Sequence, residues 1–141
     1  FKLDSGTWVS VGTLRPDVLA AASPYLQDAV IAGQDKPFIG VLAWPSAAGI
    51  AAAQAAPGVG GPLEKLAGLV AEKLRAFNAD AGGSSRQVGR FVIMAEPPSI
   101  DAGEITDKGY VNQRATLERR ADLVKAIYAN PLGAGVVVLR G

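Results

Sequence analysis

The residues best placed to do chemistry in this chain lie between Glu96 and Arg114. The segment reads Glu-Pro-Pro-Ser-Ile-Asp-Ala-Gly-Glu-Ile-Thr-Asp-Lys-Gly-Tyr-Val-Asn-Gln-Arg. An apolar run stops at Pro97 and Pro98, a polar loop follows, and Lys108-Gly109 stands just before a helical stretch. A lysine in such a loop is a point charge on a flexible stem that can swing into a neighbouring site. Gly109 lacks a side chain, so the backbone there can approach a ligand closely. On its own, a loop lysine reads as a solvated surface charge.

Other candidates carry blander readings. Gly58-Val59-Gly60-Gly61 precedes a helix and could face an anion with its amides, but it lacks the Gly-Lys-Ser/Thr of a P-loop and reads as a linker. Gly82-Gly83-Ser84-Ser85 follows a helix and reads as a left-handed helix stop. Asp101, Glu104 and Asp107 share one loop without the spacing of a cation site, so they read as solvated loop carboxylates. Arg119-Arg120 reads as the solvated face of the last helix, and Trp8 and Trp44 as core or hinge packing.

Composition excludes several classes. The chain has no His and no Cys, which removes His-based triads, thiol catalysis, disulfides and Cys- or His-ligated metal. Lys+Arg number 14 against 13 Asp+Glu, and aromatics are 6%, so neither a polyanion surface nor a base-stacking platform is implied. No apolar run approaches the roughly 20 residues of a membrane span, and no signal peptide is visible. A cytoplasmic protein, without nucleic-acid or membrane partners, is the expectation. The absent Met at position 1 suggests a piece of something larger.

The elements that must position the loop follow from apolar periodicity. At 141 residues and 49% hydrophobic, one domain can bury a real core. Thr7–Val11 alternates and reads as part of a strand or hairpin. Pro16 and Asp17 suit a helix start, with the helix running to about Ser23. Ala29–Gly33 and Phe38–Trp44 are short apolar runs, read as antiparallel neighbours central in a small sheet. Ala47–Ala56 reads as a short helix. Leu63, Leu66, Val70, Leu74 and Phe77 make one apolar stripe on a helix opened by Pro62. Arg90–Ala95 reads as a third strand and about Asn112–Ala129 as one helix, with Leu117, Ala121, Val124 and Tyr128 on one face. Val136–Leu139 reads as a last strand. The expected fold is α+β, a few-stranded sheet flanked by helices with an N-terminal β-hairpin.

Glu104-Ile105-Thr106-Asp107-Lys108-Gly109-Tyr110-Val111-Asn112-Gln113-Arg114 resembles the last motif of the adenylate-forming superfamily. That superfamily holds acyl- and aryl-CoA synthetases, peptide-synthetase adenylation domains and luciferases. The wider stretch from Ala95 through Arg120, and the opening Phe1 to Gly12, resemble feruloyl-CoA synthases in particular. The usual motif has its lysine after the glycine. Here Lys108 precedes Gly109, Tyr110 stands where that lysine would be, and no other lysine lies nearby.

The resemblance implies that residues 1–141 form the small C-terminal cap domain of a larger AMP-forming acid–CoA ligase, whose N-terminal domain is absent from this chain. It implies ATP, Mg²⁺, CoA and an aromatic acid as cofactors and substrates, bound mainly by that N-terminal domain, and an isolated chain without activity. Lys108 would be catalytic in adenylation, supported by Thr106 and Gly109. Ser5, Gly6, Thr7 and Trp8 would form the loop bordering the CoA tunnel. No metal ligand is assigned within the chain. Two other readings stand beside it: transfer of the acyl group to a carrier-protein thiol, and a free-standing binding module.

Overall fold

The computed structural model describes residues 1–140. The elements run α1 (Val11–Ala21), β1 (Leu26–Ala32), β2 (Ile39–Pro45), α2 (Ala47–Ala55), α3 (Pro62–Asp80), β3 (Val88–Ile93), α4 (Gln113–Arg119), α5 (Ala121–Tyr128) and β4 (Val137–Val138), with a 3₁₀ turn at Ser84–Arg86. The sheet order is β1-β2-β3-β4. β1 pairs antiparallel with β2, β2 parallel with β3, and β3 antiparallel with β4. The short Gly33–Phe38 connection permits the antiparallel pair. The parallel pair needs a long crossover, which α2 and α3 supply.

The continuous apolar runs are explained by burial on both faces. Successive strand side chains point to opposite sides. Ala29, Ile31, Ile39, Val41, Ala43 and Phe91 enter one core against α1, α2 and α3. Val30, Ala32, Leu42, Trp44, Val92 and Met94 enter a second core with Ile127 of α5. Helices on both faces thus keep the strands mostly apolar, with Gln27, Asp28 and Arg90 as the polar positions of β1 and β3. The α3 stripe seats Leu66, Val70 and Leu74 fully and Phe77 partly in the first core.

Several local expectations are corrected. β1 is an edge strand, not a central one; only β2 and β3 have strands on both sides. Its free edge is occupied by the Gln113 amide, which accepts from Ile31 N at 2.9 Å and donates to Ile31 O. α1 begins at Val11, with Pro16 inside it, because buried Leu14 and Val18 at i, i+4 fasten its first turns to the core. Residues 7–11 form no sheet strand: one antiparallel bridge, Lys2–Trp8, closes a small N-terminal hairpin. Gly82 and Gly83 provide no left-handed cap, since α3 ends on extended Ala81, and Asn78 reaches across to both backbone groups of Val88 at 2.8 Å.

The predicted helix 112–129 is two helices. It breaks at Arg120, whose backbone leaves helical geometry at φ −104°, ψ 33°. Ala121 is exposed, and the buried positions are Thr116, Arg120 and Ile127. α5 is docked by Arg90 Nη1 donating to Ile127 O at 2.8 Å and by the Tyr128 hydroxyl donating to Phe38 O at 2.8 Å. Burial pushes the Tyr128 phenol well above its ordinary range.

Candidate functional site

Lys108 lies at the tip of a tight hairpin. Ile105 and Val111 form its antiparallel bridge. Thr106 N donates to Tyr110 O at 2.8 Å, and Gly109 N donates to Thr106 O at 2.9 Å. The Thr106 hydroxyl accepts from Tyr110 N at 3.2 Å. Gly109 has φ +85°, a left-handed conformation that the turn requires and that side chains resist. Thr106 and Gly109 thus build the turn that carries Lys108. Lys108 is exposed, and among the described residues no carboxylate lies within 4.0 Å of its ammonium.

The base of this hairpin rests on a buried ion cluster that sequence reasoning missed. Glu104, read as a solvated loop carboxylate, has 0% of its side chain exposed, and Arg120, read as a solvated helix residue, has 5%. Arg120 donates from Nε to Glu104 Oε2 at 2.7 Å and from Nη2 to Oε1 at 3.0 Å. It also donates to Glu96 O at 2.9 Å and Pro97 O at 3.0 Å, and lies 5.2 Å from the Trp44 ring centroid. Arg119 adds Nη1 to Glu104 at 3.1 Å and Nη2 to Glu96 at 2.7 Å. The Arg120 hydrogen bonds hold the Glu104 carboxyl below its ordinary range, and Arg119 does the same for Glu96. A contact sixteen residues apart in sequence leaves no periodic signal. The only hint was the arginine pair opposite two loop glutamates.

Trp44 is buried, as expected of packing, and its Nε1 donates to Glu96 O at 3.0 Å. Between the hairpin and the sheet lies a cleft of about 400 Å³, bordered by Asp28, Trp44, Met94, Pro97, Ile105 and Gly109. Asp101 and Asp107 stay exposed while Glu104 turns inward, so the three carboxylates do not converge.

The second predicted loop lies elsewhere. Ser5, Gly6, Thr7 and Trp8 cap the N-terminal hairpin, which Asp4 N ties to Lys36 O at 2.9 Å and Asp35 N to Lys2 O at 2.9 Å. It therefore sits by the β1–β2 turn, whereas the Lys108 hairpin borders Gln27, Asp28 and Pro45 at the other end of those strands. β1 has seven residues; at about 3.3 Å each, the ends stand roughly 20 Å apart. Gly6 has φ +85° and open space around it. Ser5 and Thr7 hydroxyls share a 2.9 Å hydrogen bond. Trp8 is 69% exposed, so it is not a core residue of this domain, and Lys2 Nζ lies 4.7 Å from its ring. Gly58–Gly61 is an exposed turn leading into α3.

The family model for the AMP-binding enzyme C-terminal domain matches residues 13–131. The chain belongs to this family. It is thus the C-terminal domain of an adenylate-forming enzyme, and the match takes in the Lys108 hairpin and the Glu104–Arg120 pair. No curated protein sequence matches the chain significantly. Among solved structures it is similar to the A-PCP didomain of carboxylic acid reductase from Segniliparus rugosus in complex with AMP, at TM-score 0.70 and 20% identity, over 92% of this chain and 17% of that one. It is also similar to the adenylation domain of the carboxylate reductase from Mycobacterium chelonae, at TM-score 0.70 and 18% identity, over 91% of this chain and 19% of that one. These likenesses show the fold, and the domain spans about a fifth of the length of such relatives. Among the described residues no helix is long and apolar enough to cross a membrane.

Proposed function

We propose that the chain is the mobile C-terminal domain of an acid–CoA ligase, capping a larger domain that binds ATP and an aromatic, feruloyl-like acid. The observation that carries this reading is the separation of the two motif loops at opposite ends of the β1–β2 pair. A domain with one working loop at each end can serve two half-reactions by turning.

In the first, a carboxylate oxygen of the acid attacks the α-phosphorus of ATP. The bond to pyrophosphate breaks, and an acyl-adenylate forms. Both reactants are anions, and the Lys108 ammonium would offset their repulsion and the charge building in the transition state. Mg²⁺ would travel on the triphosphate; among the described residues no cluster of carboxylates converges to hold it. In the second, the CoA thiolate attacks the acyl carbon and AMP leaves. The Ser5–Trp8 loop would then border the pantetheine arm, with Gly6 leaving room for it.

A second acceptor is favoured by the solved neighbours, which are carboxylic acid reductase domains, one of them an A-PCP didomain. Under that reading the thiol belongs to a carrier protein. Offering the full-length enzyme free CoA or a phosphopantetheinylated carrier separates the two.

The lysine role is tested by Lys108→Ala in the full-length enzyme. Pyrophosphate exchange should fall about 10²–10³-fold, the typical effect of one transition-state contact. Supplied acyl-adenylate should still become thioester. Unchanged exchange would remove Lys108 from the reaction.

A further inference from the structure

We propose that Glu104 is a positioning residue for adenylation: its buried carboxylate, clamped by Arg119 and Arg120, fixes the base of the hairpin that presents Lys108. The proposal rests on the role given to Lys108 above.

Every polar atom of Glu104 is engaged. Its amide donates to Ser99 O at 2.9 Å, and its carbonyl accepts from Asn112 N at 2.8 Å. Oε1 accepts from Ser99 N at 2.9 Å, Arg119 at 3.1 Å and Arg120 at 3.0 Å; Oε2 accepts from Arg120 Nε at 2.7 Å. The hairpin begins at the next residue, and Lys108 follows within one turn of it. Arg120 simultaneously holds Glu96 O and Pro97 O. One fork thus joins the end of β3, the start of the loop, the hairpin base and the α4–α5 break.

An apolar filling would hold such a site together as well or better, because desolvating two charges offsets much of their attraction. What apolar groups lack is direction. A bidentate fork fixes both distance and angle. Among the described residues the tip lysine has no ion-pair partner, so its position relative to the sheet is set at the base. A displacement of about 1 Å at a reacting centre can lower a rate 10²-fold.

The test uses Glu104→Gln in the full-length enzyme, which keeps shape and removes charge. Arg120→Lys, which keeps charge and removes the fork, covers the case in which the first variant does not fold. In folded protein, pyrophosphate exchange should drop about 10–10²-fold in kcat, with KM for ATP and acid little changed and conversion of supplied acyl-adenylate intact. Adding Lys108→Ala to Glu104→Gln should be no slower than Lys108→Ala alone, because the two act through one group. Parental exchange in folded Glu104→Gln, equal loss of both half-reactions, or an additive double variant each overturns the proposal. If Lys108→Ala itself leaves exchange intact, the lysine reading fails and the proposal with it. Loss in Lys108→Ala without loss in Glu104→Gln overturns the positioning role alone.

Discussion

Replacing Arg120 by Met would take the guanidinium out of the buried cluster while leaving a flexible apolar stem in its place. Glu104 would then keep only Ser99 N at 2.9 Å and Arg119 Nη1 at 3.1 Å as donors, inside a site where none of its side chain is exposed. Deleting one partner of a buried pair typically destabilises by about 3–5 kcal/mol. Arg119 remains within reach, so the lower end, about 3 kcal/mol at pH 7, is expected. With a urea dependence of about 1–3 kcal/mol per molar, the midpoint should fall by about 1–3 M. The chain has two cores and helices on both sheet faces, so it is expected to unfold as one unit. Fluorescence reports on Trp44, which Arg120 covers, and far-UV circular dichroism reports on the helices.

The pH dependence makes the prediction sharper. In the parent, Arg120 hydrogen bonding holds the Glu104 carboxyl below its ordinary value of 4.5. A native pKa below the unfolded one gives stability that is complete above pH 4.5 and lost as pH falls through the native value. In Arg120→Met the sign reverses. Burial with too few partners raises the native pKa above the unfolded one. The ionised carboxylate then destabilises the fold at neutral pH, and acidification from about pH 7 to 5 should recover stability. Adding Glu104→Leu should restore most of the loss, because the unpaired charge is gone. A loss below about 1 kcal/mol, or a variant with the parent's acid profile, would refute the reasoning, since a broken buried pair costs several times that.

Other consequences can be checked directly. Gly6→Leu meets open space but a φ of +85°, so about 1–2 kcal/mol of strain should disturb the loop locally; thioester formation should slow and adenylation should not, while equal loss of both would favour a plain turn. Gln113→Ala leaves both backbone groups of Ile31 unpaired on the sheet edge; a loss of about 1–3 kcal/mol and faster hydrogen exchange at the Ile31 amide are expected, and unchanged protection would argue against the edge cover. The isolated 141-residue chain should bind ATP at millimolar affinity or weaker, fading with salt, because one exposed cation is strongly screened; calorimetry giving micromolar affinity would contradict a cap that completes another domain's site.

Much of this was legible in the sequence. Apolar runs gave three strands and the α3 stripe, because burial on a face repeats with a fixed period and period is a local property. The loops around Gly6 and Lys108 stood out through their resemblance to the adenylate-forming superfamily; by turn chemistry alone they read as a hairpin turn and a solvated loop. The sequence did not reveal that β1 lies at an edge, that the last helix breaks at Arg120, or that Glu104 and Arg120 meet. Each of these depends on what a residue faces from a distant part of the chain. Glu104 and Arg120 read as solvated because charged residues usually are, and only the folded chain brings enough donors to a buried carboxylate to keep it ionised there. The separation of the two loops is likewise tertiary: their sequence positions say nothing of direction, and the β1–β2 pair sets one at each end.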